Sequence, residues 1–150
     1  MKTSAIRTGL ALLLGVVVSA PAVAAPIPAV LYKNPQCSCC EAYAQYLDQN
    51  GFAVKVIPTD QLDLVTRMAG VPTSLEGCHT MRLGDYVIEG HVPAPLIRKL
   101  LAEHLPITGL AIPGMPSGVP GMPAMSGTPT TPIPVYEIGT AKLVVFGTAN

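Results

Sequence analysis

Three of the four cysteines in this chain stand within four positions, in the stretch Tyr32-Lys33-Asn34-Pro35-Gln36-Cys37-Ser38-Cys39-Cys40-Glu41. An apolar run precedes them and a helical pattern follows, so soft sulfur donors sit at a strand-to-helix junction. The unpaired N–H groups of a helix N-terminus, with the positive end of its dipole, favour thiolate over thiol. Thiolate is both a metal ligand and a redox nucleophile. The stretch therefore reads as a metal site, a redox site or both.

The elements that must position these sulfurs follow from local pattern. Ala29 to Tyr32 reads as a first strand, broken by Asn34-Pro35, and Glu41 to Gln49 reads as a helix with Ala42, Tyr43, Tyr46 and Leu47 at helical spacing. Asn50-Gly51 supplies the left-handed stop. Phe52 to Ile57 is a second strand, Gln61 to Ala69 a second helix closed by Gly70, and Thr80–Leu83 with Tyr86–Glu89 a hairpin around Gly84-Asp85. Pro93 to His104 is a last helix with Leu96, Ile97, Leu100 and Leu101 on one face, so the order is β-α-β-α-β-β-α. Met68 and Met81, both on elements, read as core.

Either side of this unit the composition changes. Lys2 and Arg7, the apolar run Leu10–Val18 and the small-residue site Ala22-Val23-Ala24 read as a cleaved export signal over residues 1–24. Residues 25–108 form the α/β domain and residues 109–150 a glycine-, proline- and methionine-rich extension. That extension ends in a hairpin pairing Val135–Ile138 with Lys142–Phe146. Removing Lys2 and Arg7 leaves 7 basic residues against 9 acidic ones, a net charge of −2. With no basic run and no basic patch interleaved with aromatics, a nucleic-acid partner is not expected. In a Gram-negative cell the signal leads to the oxidising periplasm, with membrane contact only during export, and disulfides are the default reading of exported cysteines.

The element order resembles the thioredoxin fold, a mixed central sheet flanked by helices. Cys37 and Cys40 have the C-x-x-C spacing at the start of the first helix, and Val71-Pro72-Thr73 is similar to that fold's cis-proline loop, which abuts the dithiol. The resemblance makes Cys37 and Cys40 the redox pair. The third cysteine, Cys39, and the pair Cys78-His79 depart from it, and Cys39 needs another partner, for which Cys78 is a candidate. A closer resemblance is to the CopG-like family, also known as domain of unknown function 411. It is carried by Tyr32-Lys33-Asn34-Pro35 with the C-x-C-C run, Gly70-Val71-Pro72, Cys78-His79-Thr80, Gly90-His91-Val92-Pro93 and Gly109-Leu110-Ala111 with Pro113-Gly114-Met115-Pro116. The resemblance implies an exported thioredoxin-like protein that binds copper through its cysteines and acts as a copper oxidoreductase.

The residues themselves favour Cu(I), one ion or several, with Cys37, Cys39, Cys40 and Cys78 as ligands. Thiolates select Cu(I), Zn(II) or iron–sulfur clusters, and C-x-C-C is not the pair of separated C-x-x-C knuckles of a zinc ribbon. Adjacent cysteines point apart, which suits bridging several Cu(I) ions, and ligand deprotonation makes affinity rise with pH. The same sulfurs could instead form two structural disulfides. His79 reads as a ligand or as a neighbour that tunes thiolate formation, and His91 as a ligand or as a cap on the last helix. His104 complements the dipole of that helix. Met115, Met122 and Met125 offer thioethers to Cu(I) but read first as flexible fillers. The leading expectation is a periplasmic copper-binding protein in copper resistance, coupling Cu(II)/Cu(I) to thiol/disulfide exchange, with copper exporters or other periplasmic copper proteins as partners. The rivals are a thiol–disulfide oxidoreductase acting on proteins and a copper chaperone without redox chemistry.

Overall fold

A computed structural model describes residues 24–122 and 131–149. The export signal, apart from Ala24, and Met125 lie outside the described residues. In chain order the elements are β1 (Ile27–Lys33), α1 (Ser38–Gln49), β2 (Phe52–Pro58), α2 (Leu62–Met68), a 3-10 turn (Thr73–Leu75), β3 (His79–Leu83), β4 (Tyr86–Glu89), α3 (Ala94–Glu103), β5 (Gly109–Ala111), β6 (Ile133–Ile138) and β7 (Val145–Ala149). Among the described residues no helix is long and apolar enough to cross a membrane.

The strands form one mixed sheet in the order β2-β1-β3-β4-β5-β6-β7. β1 pairs in parallel with β2 and β4 with β5, and the remaining neighbours are antiparallel. Register explains the layering. Leu31, Met81, Ile88 and Leu110 are successive cross-strand partners and all are fully buried. Side chains alternate along a strand, so this row defines one face, and α1 and α3 cover it with Tyr43, Ala44, Leu47, Ala94, Ile97 and Leu100. Ala44 takes the buried place expected of Ala42, which is exposed. The opposite face carries a smaller core of Ala69, Val71, Leu75, Val87, Ala111 and Ile138.

Four expectations change. No cis peptide bond occurs among the described residues, so Pro72 is trans. Extended Pro72 leads into the 3-10 turn, where its carbonyl accepts the Leu75 N–H at 2.8 Å, and Val71 and Leu75 bury on the sheet face away from the cysteines. Met68 is 75% exposed, on the outer side of a seven-residue helix, whereas Met81 is core as expected. The stretch from Gly109 begins inside the sheet as β5, a strand that its glycine concealed. The closing hairpin forms, but its second strand runs Val145–Ala149 rather than Lys142–Phe146. Residues 139–144 are taken up by the loop, where Thr140 Oγ1 donates to the Lys142 carbonyl at 2.7 Å.

Candidate metal centre

The cysteine loop is built by its own polar groups. Asn34 Oδ1 accepts the Gln36 N–H at 3.1 Å and its carbonyl accepts the Cys37 N–H at 3.0 Å, an Asx-type turn around Pro35. The helix then starts at Ser38, three residues earlier than the expected Glu41, with Cys37 as its N-cap. Cys39 and Cys40 therefore stand in the first turn on different faces. Cys40 is buried and joined to Cys37 by a disulfide, while Cys39 is a half-buried free thiol 3.4 Å from Cys37 Sγ.

The second half of the site comes from the β3–β4 hairpin, whose open end brings distant residues to the same place. Gly90 N–H donates to the His79 carbonyl at 3.1 Å, and Gly77 and Gly114 form a bridge beside it. A Cβ on Gly77 would lie 2.9 Å from the Gly90 Cα, so both segments approach at backbone contact. Cys78 consequently reaches Cys40 Sγ at 3.7 Å and His91 Nε2 at 3.0 Å, and lies 3.5 Å from His79 Nδ1. Pro120, in the glycine- and proline-rich strap, accepts from His91 Nδ1 at 2.6 Å, which leaves Nε2 as the acceptor facing the Cys78 thiol. His91 is thus not the expected helix cap. The N-cap of α3 is Pro93, without a side-chain cap.

Tyr43 packs both imidazoles in place, with ring centroids 4.8 Å from His79 and 4.9 Å from His91, and its hydroxyl donates to the Val92 carbonyl at 2.7 Å. His104 ends α3 as a left-handed C-cap. Met115 is 63% exposed and lines a pocket of about 440 Å³ with Cys37, Cys39, Cys78 and Leu62, whereas Met122 is half-buried against the core.

Burial sets the protonation states. It pushes the Cys78 thiol up to about 12, with the charge and hydrogen bond of Cys39 adding to the effect. Burial also holds His79 well below the usual imidazole range, reinforced by His91, and lowers His91 against the opposing Pro120 contact. Without a metal, Cys78 is a thiol beside two neutral imidazoles.

The donor set suits a metal ion. The sulfurs of Cys37, Cys39, Cys40 and Cys78 lie within 4.8 Å of one another, as do the donor atoms of Cys40, Cys78, His79 and His91. His79 Nε2 is buried with no hydrogen-bond partner among the described residues, an arrangement that is costly unless something binds there. The disulfide withdraws Cys37 and Cys40 from thiolate ligation, so the four-sulfur set exists only in the reduced protein.

Two buried charged residues escaped the sequence reading. Lys33 ends β1 under the cysteine loop, and Glu89 ends β4, accepting from Gly77 N–H at 2.8 Å and Thr80 Oγ1 at 2.7 Å. The only signal for each was a charge on an otherwise buried strand. Glu89 braces the segment that carries Cys78, and burial raises its pKa to about 7 from an ordinary 4.5. A raised carboxyl pKa means that the folded state holds the proton more tightly. Its stabilisation is full below pH 4.5 and is lost as pH rises through about 7. Subtracting the urea stability of Glu89→Gln from that of wild type should therefore give a difference that falls between these limits by roughly 2–3 kcal/mol. A flat difference would remove Glu89 from the titrating groups.

A mixed α/β sheet with four cysteines and two histidines gathered at one end gives the protein a thiol and imidazole donor set of the kind that suits a metal ion. Residues 75–122 match the family described as a protein of unknown function, DUF411. Two solved structures of a copper resistance protein, copG, in forms 2 and 1, resemble the chain with TM-scores of 0.74 and 0.73, each at 32% identity. The alignments cover 83% and 82% of this chain and 99% and 97% of those chains. No curated protein matches. The chain belongs to the CopG-like family, and its cysteine and histidine cluster fits copper binding.

Proposed function

We propose that the protein is an exported, periplasmic, thioredoxin-like copper-handling protein that contributes to copper resistance by binding Cu(I) and reducing Cu(II). The observation that carries this is Cys78. It comes from 38 residues beyond Cys40 and yet completes a four-sulfur cluster with the C-x-C-C run. The β-α-β-α-β-β-α order with Cys37 and Cys40 at the first strand-to-helix junction supports the thioredoxin-like reading. The names of the solved relatives support copper resistance.

In the reduced protein, Cys37, Cys39, Cys40 and Cys78 hold Cu(I), with His79 and His91 at its border. The Cys37–Cys40 dithiol gives one electron to each of two Cu(II) ions, forming two Cu(I), one disulfide and two released protons. Mixing reduced protein with Cu(II) should thus yield two Cu(I) per disulfide formed, read by a Cu(I)-specific chromophore and by alkylation of the remaining thiols. A chaperone without redox chemistry would keep its thiols and yield no Cu(I).

A second reading, thiol–disulfide exchange with protein substrates, is favoured by the position of Cys37 on the wall of an open pocket. Copper-free reduction of insulin disulfides at a thioredoxin-like rate would support it over the first. Export rests on the leader Lys2 to Ala24, and the mass of the periplasmic protein should correspond to a chain starting at Ala25.

A further inference from the structure

Lys33 is 2% exposed, and no ligand role calls for it. It stands opposite His79 in the β1–β3 register, at the end of the sheet where the sulfurs gather. A lysine is almost never fully buried unless its charge is paired. Here Nζ donates to the carbonyl oxygens of Asn34 at 3.3 Å, Pro35 at 3.2 Å and Cys37 at 3.3 Å, and lies 3.0 Å from Glu41 Oε1. All four acceptors belong to the cysteine loop or the first turn of α1. A methionine would fill the same volume, but it would neither turn three carbonyls inward nor neutralise Glu41.

We propose that the Lys33–Glu41 pair sets the reduction potential of the Cys37–Cys40 couple, with Lys33 favouring the dithiol and Glu41 the disulfide. The inference rests on the redox role proposed above for these two cysteines. Reduction creates sulfurs that can carry negative charge, so a nearby cation stabilises the reduced form and an anion opposes it. Lys33 is hydrogen-bonded to the backbone of Cys37 itself and is shielded from water, where its field is little screened. Glu41 is 51% exposed, so its opposing effect is weaker. The net bias is toward the dithiol, the state in which both sulfurs can bind a metal ion. Lys33 is a positioning residue: it acts on the sulfurs through backbone and field.

The test equilibrates the full chain, free of metal and in the presence of a chelator, with mixtures of reduced and oxidised glutathione. Two glutathione thiols reduce the Cys37–Cys40 disulfide, giving two protein thiols and one glutathione disulfide, and alkylation with peptide mapping reads the ratio. Lys33→Met should shift the equilibrium about tenfold toward the disulfide, a potential lower by about 30 mV. Glu41→Gln should shift it about threefold the other way, and Lys33→Arg should stay within about twofold of wild type. Opposite signs at the two partners are the decisive result, because loosening of the loop alone would move both variants in the same direction. If Lys33→Met does not fold, Glu41→Gln with Lys33→Arg decides. An unchanged or lowered potential in Glu41→Gln, or equal shifts in Lys33→Arg and Lys33→Met, overturns the proposal. No copper enters this measurement. Failure to reduce Cu(II) leaves it readable, and unmoved potentials beside intact Cu(II) reduction defeat this inference alone.

Discussion

Cys78→Ser is expected to weaken Cu(I) binding by more than about 100-fold, or about 2.7 kcal/mol. On the copper-binding reading, Cys78 belongs with Cys40 to both donor groups, the four-cysteine set and the set with His79 and His91, and unlike Cys40 it is a free thiol. Serine keeps the shape but offers a hard oxygen that stays protonated, and Cu(I) selects soft donors. Loss of outer-shell partners alone is worth about 10–100-fold in metal affinity, so loss of a ligand should exceed that range. The side chain is half-buried at a pocket wall, and the fold should tolerate the change. Anaerobic competition against a Cu(I) chelator, with free thiols counted on the same sample, gives the number. Retention of affinity within about threefold would leave Cys37, Cys39 and Cys40 sufficient and the four-sulfur site wrong.

Gly90→Ala should destabilise the protein by about 3 kcal/mol or more. Gly90 has a φ of 68°, and a Cβ there would run into the Ile112 carbonyl with the Gly77 Cα close by. Left-handed backbone costs an ordinary residue about 1–2 kcal/mol, and the collision with backbone adds to it. Gly84, in the β3–β4 turn, is the control. Its φ is 58° with nothing within 4 Å of the added atom, so Gly84→Ala should show only that conformational cost of about 1–2 kcal/mol. Urea unfolding of the two variants separates the terms. Equal losses would mean that Gly90, at the Gly77–Gly90 crossing, is not packed tightly against the Ile112 carbonyl. Because that crossing sets Cys78 beside His91, the Gly90 variant should also bind Cu(I) more weakly, whereas the Gly84 variant should not.

Much of this architecture was readable locally. The helical faces of α1 and α3, the glycine stops at Gly51 and Gly70 and the Gly84-Asp85 turn each depend on a few consecutive residues, whose periodicity and backbone freedom appear directly in the sequence. So does the clustering of Cys37, Cys39 and Cys40 at a strand-to-helix junction, and with it the choice between metal and redox chemistry. The misreadings came where local pattern conflicts with tertiary demand. Gly109 signals a break but lies in a central strand, where its small size lets the backbone of Val87 approach. Val71-Pro72 has the sequence of a loop beside a dithiol, but Val71 packs on the far face of the sheet.

By itself, then, the sequence determined the sulfur donors, the presence of a helix directly after them and the donor types available at Cys78, His79 and His91. Tertiary structure alone decided that these groups meet. Sheet register set Lys33 opposite His79, and the glycine crossing set Cys78 3.0 Å from His91 and 3.7 Å from Cys40. Burial, which no local pattern states, kept the Cys78 thiol protonated and both imidazoles neutral. The physical reason is range: capping and periodicity act over one or two turns of chain, whereas a metal site depends on distances and desolvation between segments that only the packed sheet brings together.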